Sequence, residues 1–305
     1  MRKFSLITIS ALLCTVMSAQ DMALISSRII NDPVNMATAG SASASSRNIS
    51  MSAFGNAATM AFYEGKGDIQ ASFNRWAPEG QLSTRLSLGG GFRLGKAFSL
   101  SAAGVYGAGQ EYQAVDDRGV PGNMVKPGDM MLGLGIGIAA SEHFGLGFNF
   151  RYSSEMLYED TSVRAIMVDA SLMYHNNGLN VTAGVRSLGP KVHDQAETQF
   201  NLPYAVNLAA YYDMEFAEQH SLGFGIDGNY FLNGGISAAA GVEYSWKDTV
   251  FARAGFHYGN SGSPLPTNLA LGLGAKFIGI SVNVSYLTLN EALGNTLCVG
   301  LGYSF

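Results

Sequence analysis

The chain has 305 residues, 47% of them hydrophobic and only 13% charged, against roughly 25% charged in ordinary soluble proteins. A net charge of −5 without a dense basic run gives no footing for nucleic-acid binding, and 38 glycines argue against a helical bundle. No internal apolar run approaches the ~20 residues of a spanning helix, so low charge here points to a β-barrel, whose lipid-facing residues are diluted by alternation.

Residues 1–19 read as a signal peptide. Arg2 and Lys3 supply the charged start, Phe4 to Met17 are apolar but too short to span, and Ser18-Ala19 offers small residues for cleavage before Gln20. Leu13 occupies the place of the small residue that precedes a lipidated cysteine, which argues against a lipoprotein built on Cys14. With Cys14 removed, Cys298 is the one cysteine left, and no intramolecular disulfide is expected.

Residues 20–66 lack strand alternation and carry small-residue runs, ATAGSASASS (37–46) and ISMSAFGNAATMAF (49–62). Met51, Phe54, Ala58 and Phe62 recur near a helical period. One or two short helices are predicted, starting near Pro33 and near Asn48–Ser50. The apolar content favours a segment that packs, and in a barrel the available place is the lumen.

From residue 67 to 305 the chain breaks into apolar-alternating segments of about ten to fifteen residues. They begin near 68, 82, 98, 129, 143, 162, 178, 202, 219, 235, 249, 267, 279 and 296, giving about fourteen strands. That is an even number, as in bacterial outer-membrane barrels. Phe144, Leu146, Phe148, Phe150 and Tyr152 oppose Gly145, Gly147, Asn149 and Arg151. Connections after alternate strands are short, as at Asn176-Asn177 and Lys247-Asp248, whereas 112–128, 154–161, 187–201, 259–266 and 287–295 are longer; those after strands one and nine are short and break the alternation. Tight turns at one end and long loops at the other mark a transmembrane barrel. The fold class is therefore all-β: a transmembrane antiparallel β-barrel with a helical N-terminal plug.

The same register turns Arg85, Arg151, Asp169, Arg186, Asp227, Glu243 and Arg253 inwards, together with Arg93, His257 and Lys276. These charges pair across the lumen to hold the plug, or they define a polar ligand path. The first seven are the candidate ligand-binding residues. Inward glycines, 133, 135 and 137 among them, leave room for either a plug or a passage.

No catalytic or metal site is expected, and no cofactor. The five histidines are scattered without metal-ligand spacing, and GLGIG (133–137) lacks the Lys-Ser/Thr of a phosphate loop. Glu155, Glu159 and Asp160, like Asp116 and Asp117, fall in predicted outer loops, where acidic pairs are ordinarily solvated. The final strand, TLCVGLGYSF, puts Leu297, Val299, Leu301, Tyr303 and Phe305 on one face and small or polar residues on the other.

DPVNMATAGSASAS (32–45), FGNAATMAF (54–62), LPYAVNLAAYY (202–212) and LPTNLALGLGAKF (265–277) resemble segments of the PorV/PorQ-like outer-membrane proteins of Bacteroidota. Asn56-Ala57-Ala58 stands where that family has Asn-Pro-Ala. The resemblance implies a barrel like the fatty-acid transporter FadL, with fourteen strands and a plug. It also implies an accessory or binding role in type IX protein secretion, with loops 112–128 and 187–201 engaging secreted proteins. The alternative is transport of a hydrophobic or small amphipathic ligand. Expected partners are outer-membrane lipid and, because the Phe305 end resembles the terminal signature of such barrels, the barrel-assembly machinery.

Overall fold

The computed structural model describes residues 22–76, 83–115, 118–158, 161–193, 199–232, 234–288 and 296–305. The expected signal peptide lies outside these residues, as do Asp116, Asp117, Glu159 and Asp160.

Fourteen antiparallel strands close into one barrel. In chain order they begin with β1 (Gly67–Trp76), β2 (Ser83–Leu94) and β3 (Phe98–Gly109), then β6 (Gly128–Ala139), β7 (Phe144–Tyr158), β8 (Thr161–Asn176) and β9 (Leu179–Leu188). The second half comprises β12 (Ala205–Ala217), β13 (His220–Phe231), β14 (Ile236–Trp246), β15 (Val250–Gly259), β16 (Asn268–Phe277), β17 (Ile280–Thr288) and β18 (Thr296–Ser304). Two small hairpins, β4/β5 (Tyr112–Val115 and Pro121–Val125) and β10/β11 (Val192–His193 and Gln199–Phe200), stand apart in the loops.

Closure is made by β1 against β18, with Ile69 opposite Tyr303 and Phe73 opposite Val299. The last residue completes it: Phe305 O accepts from Lys66 N at 2.8 Å and Gly67 N at 3.0 Å, and Phe305 N donates to Gly67 O at 2.9 Å. Closed in this way, the sheet has no free edge to satisfy in lipid.

The expected faces are present. Leu88, Leu134, Ile226 and Leu273 point outward at 60–67% exposure, within a belt of exposed aliphatic and aromatic residues around the wall. A belt of that extent suits a lipid environment and not water. At the turn end Phe98, Phe144, Phe216, Trp246, Phe277 and Phe305 stand exposed next to the short connections, as in an interfacial aromatic girdle. Inward positions hold buried Asn74, Asn149, Ser153 and Ser285. Cys298 is buried against Met36, Ala39 and Ala270.

The short connections owe their form to residues in the left-handed region. Asn177 (φ 47°) and Gly178 (φ 79°) join β8 to β9, and Ile278 (φ 49°) and Gly279 (φ 80°) join β16 to β17. Paired positive φ values belong to the mirror-image turns whose twist matches a hairpin. The long loops depart from expectation in two places. Residues 154–158 are strand, not loop, and carry Glu155 into the wall. Loop 187–201 starts beyond Leu188 and contains β10/β11. The strands expected from 202 and 267 begin at Ala205 and Asn268. Pro203 and Pro266 lack the N–H that a ladder needs, so each Leu-Pro pair stays outside the strand.

Residues 22–66 fill the lumen. Helix α1 (Pro33–Ala37) starts where predicted: Asp32 caps it by accepting from Val34 N at 3.1 Å and Asn35 N at 3.2 Å, and Pro33 takes the first position. No helix starts at Asn48–Ser50. There Asn48 Oδ1 captures Ser50 N and Ser50 Oγ in a local turn, the usual way short polar side chains divert backbone from a helix. Three short 3₁₀ turns, Ile25–Arg28, Ser41–Ala44 and Ala57–Phe62, carry the rest, the last capped by Asn56.

Glycine lets this irregular segment approach the wall. A methyl group at Gly137 would lie 2.7 Å from Ala57 O and 2.9 Å from Met60 Cβ, and one at Gly300 2.6 Å from Pro33 Cγ. At these positions the space left by glycine is taken by the plug, not by a passage. Gly137→Val should therefore displace residues 57–62 at a cost of about 1–3 kcal/mol. Limited proteolysis should cut 22–66 faster while the barrel keeps its heat-dependent gel mobility. Ile278→Asn should relieve the strained turn by about 1 kcal/mol and raise the temperature at which the barrel unfolds in detergent.

Candidate functional site: the plugged lumen

The plug has little regular structure; its own turns satisfy many of its backbone carbonyls, such as Asp32 O, Met36 O and Ile49 O, and others need partners from elsewhere, because buried polar groups without them are costly. The polar inner wall supplies them. Ser72 Oγ donates to Asn31 O at 2.6 Å, Ser99 Oγ to Met60 O at 3.1 Å and Asn149 Nδ2 to Gly55 O at 3.1 Å. Arg93 donates to Tyr63 O at 2.5 Å. Inward polarity in this barrel is largely the complement of one threaded segment.

All seven charged candidates face the lumen. Arg85 reaches Asp129 at 2.7 Å, Asn31 Oδ1 at 3.2 Å and Ser26 O at 3.4 Å. Arg151 pairs with Asp169 at 2.7 Å and touches Ser187 Oγ at 3.1 Å and Ser27 O at 3.5 Å. A bulge between β8 and β9, where Val168 faces Leu188 but Ala170 faces Val185, turns both Arg186 and Ser187 inwards. Ser187, at φ 61°, thereby donates its N–H to Asp169 at 2.6 Å. Arg186 donates to Phe54 O at 3.2 Å and Gly55 O at 3.1 Å. Asp227 accepts from Ser43, from Asn207 at 3.0 Å and from Asn229 at 2.6 Å. Glu243 is shared: Arg253 binds it at 2.5 Å and Arg47 at 2.9 Å. Arg253 also donates to Asn283 at 2.9 Å.

Several partners were invisible to strand patterning. Arg47 is the one charge between Asp32 and Glu64. It forks onto Asp213 at 2.6 and 2.8 Å while holding Glu243. Burial works against its charge, but the carboxylates of Glu243 and Asp213 outweigh it and hold its pKa above the ordinary value. Its isolation in a small-residue run was the signal available in sequence. Glu155, expected in a solvated loop, instead accepts from Ser26 N at 2.8 Å.

Between plug and wall lies a cavity of about 150 Å³. Of the seven candidates only Arg186 and Asp227 line it, with His257 beside them; the plug contributes Arg28 and Asp32. Burial, then the like charges of Arg186 and Arg151, push the Arg28 guanidinium down from its usual pKa. Burial raises the Asp32 carboxyl despite the donors around it. Arg85, Arg151, Asp169, Glu243 and Arg253 are instead engaged in ion pairs away from the cavity. Among the described residues no group of three or more acidic, histidine or cysteine side chains could hold a metal ion.

No protein-family model matches the chain, and no curated protein does. Solved structures do match. The CymD monoaromatic hydrocarbon channel aligns with a TM-score of 0.62 at 12% identity, covering 90% of this chain and 97% of its own. The toluene transporter TodX of Pseudomonas putida aligns at 0.61 and 11% identity, covering 89% and 97%. A FadL homologue of Pseudomonas aeruginosa aligns at 0.54 and 11% identity, covering 93% and 96%. The chain thus has the fold of FadL-type outer-membrane channels, a fourteen-stranded barrel with a short helical N-terminal segment.

Proposed function

We propose that this protein is an outer-membrane channel of a Gram-negative bacterium that passes small hydrophobic or amphipathic compounds, with residues 22–66 as its gate. The observation that carries the reading is the construction of the plug. It is covalently continuous with the wall only at Lys66–Gly67; a single backbone bridge at Met22–Asn201, outside the barrel ladder, and side-chain contacts hold it elsewhere, with a cavity left between plug and wall. A segment so attached can shift without breaking the barrel ladder. The fold shared with hydrocarbon channels supports transport ahead of the expected accessory role in protein secretion, for which the comparisons offer nothing. By the same reading the short turns face the periplasm and the long loops face outward.

Arg47 is the strongest latch, because it binds carboxylates on two strands, β12 and β14. Arg47→Ala removes charge-assisted bonds that each contribute about 1.5–3 kcal/mol, so flux of a toluene-sized solute into proteoliposomes should rise several-fold. The pair with Asp213 is partly exposed, at 34% and 27%, and salt screens such pairs. Raising ionic strength should therefore increase wild-type flux and leave Arg47→Ala unchanged. Wild-type vesicles no leakier than empty ones at any salt, and equally tight with Arg47→Ala, would remove the channel reading.

A further inference from the structure

The lumen arginines differ in their partners; Arg93 binds the carbonyl of Tyr63 and lies off the cavity. Arg47, Arg85, Arg151 and Arg253 each have a carboxylate within ion-pair distance. Arg28 and Arg186 both line the cavity, and among the described residues neither has one. Arg28 donates through Nη2 to Asn229 Oδ1 at 3.2 Å and lies 5.2 Å over the Phe231 ring. Arg186 donates through Nη2 to two plug carbonyls. A guanidinium has five N–H donors, so both of these lining residues retain unused donors.

The two acids on the cavity do not make up the deficit. Asp32 is occupied by Val34 N, Asn35 N and Gln70 Nε2, and Asp227 by Ser43, Asn207 and Asn229. Neutral donors hold the anions by hydrogen bonds, whereas Asp227 and Asp169 act on the two cations only at longer range. Ser27, another lining residue, is 5% exposed and has a buried Oγ without a hydrogen-bond partner. Ile29, Ile30, Phe231 and Leu265 supply an apolar side to the cavity.

We propose that this cavity binds a small organic anion, one carboxylate on a compact apolar body of aromatic size, with the carboxylate between Arg28 and Arg186. Planar guanidinium forks match a carboxylate and form the strongest class of hydrogen bond available to it. The volume of about 150 Å³ is close to that of a cavity able to hold benzene and suits a body of that size. The assignment rests on the channel reading and narrows its solute class to a charged species.

The test is calorimetric titration of the purified full chain in detergent at neutral pH, with benzoate and its uncharged counterpart benzyl alcohol. Benzoate should bind saturably at one site, and benzyl alcohol at least about tenfold more weakly. Arg28→Gln and Arg186→Gln should each weaken benzoate binding by about tenfold, the loss of one charge-assisted contact. Arg164→Gln, at an exposed position in β8, should not. Equal affinity for the two probes, no benzoate binding, or heat-modifiable Gln variants that bind benzoate as well as wild type would overturn the proposal. If the variants fail to fold, the comparison of the two probes on wild type decides. Parallel vesicle flux separates the two readings. Passage of toluene without benzoate binding rejects the anion site and keeps the channel. Benzoate binding without passage of either solute keeps the site and rejects the channel.

Discussion

Every backbone polar group at bilayer depth must find its partner inside the protein, because lipid offers none. In this chain that requirement acts twice. On the wall it is met by closure, with β18 returning to β1 so that no strand presents an unpaired edge. Inside the wall it applies to a segment with one five-residue helix and three short turns, which satisfy only part of its carbonyls. The inner face is polar in the places where that segment needs donors, as Ser72, Ser99, Asn149 and Arg186 illustrate.

The ion pairs follow from the same geometry. A charge buried in a narrow lumen is costly without a partner, and a buried pair adds little net stability over a well-packed apolar alternative. What such pairs supply is position. Arg47 ties the plug to β12 and β14, Arg85 ties β2 to β6 and to Asn31, and Arg151 with Asp169 ties β7 to β8 and to Ser27. Glycine works in the opposite sense, withdrawing bulk from the wall so that plug backbone can approach at Gly91, Gly137 and Gly145. Together they hold the plug by shape and by charge, with few apolar clusters of modest size between them.

The barrel was legible in sequence because its two faces meet different solvents. Leu297, Val299 and Leu301 cannot be confused with Thr296, Cys298 and Gly300 once one side is lipid and the other a filled lumen. The short connection after β8 was legible but was placed at Asn176-Asn177; the mirror-image turn falls one residue later, at Asn177-Gly178. The plug was legible only at α1, where Asp32 and Pro33 form a local start signal. Elsewhere its conformation depends on partners far along the chain, such as Glu243 for Arg47 or Ser171 for Asn56, and no local period records them. Facing direction could be read for the seven charged candidates. Which of them border empty space could not, because that depends on where the plug leaves a gap.

One detail of closure bears on how such a molecule is assembled. The bonds that complete the ring run from Phe305 to Lys66 and Gly67, the residues where plug becomes wall. The first and last strands are the most distant in sequence, so their pairing carries the largest chain-entropy cost and comes late in folding. Until then the growing sheet is an open trough, and the N-terminal segment can lie down in it from the side. After closure it would have to thread lengthwise past Arg47's partners and up to Asn201, which Met22 bridges in the loop between β9 and β12. The seam at Phe305 therefore acts as a clasp: filling the lumen belongs before it shuts.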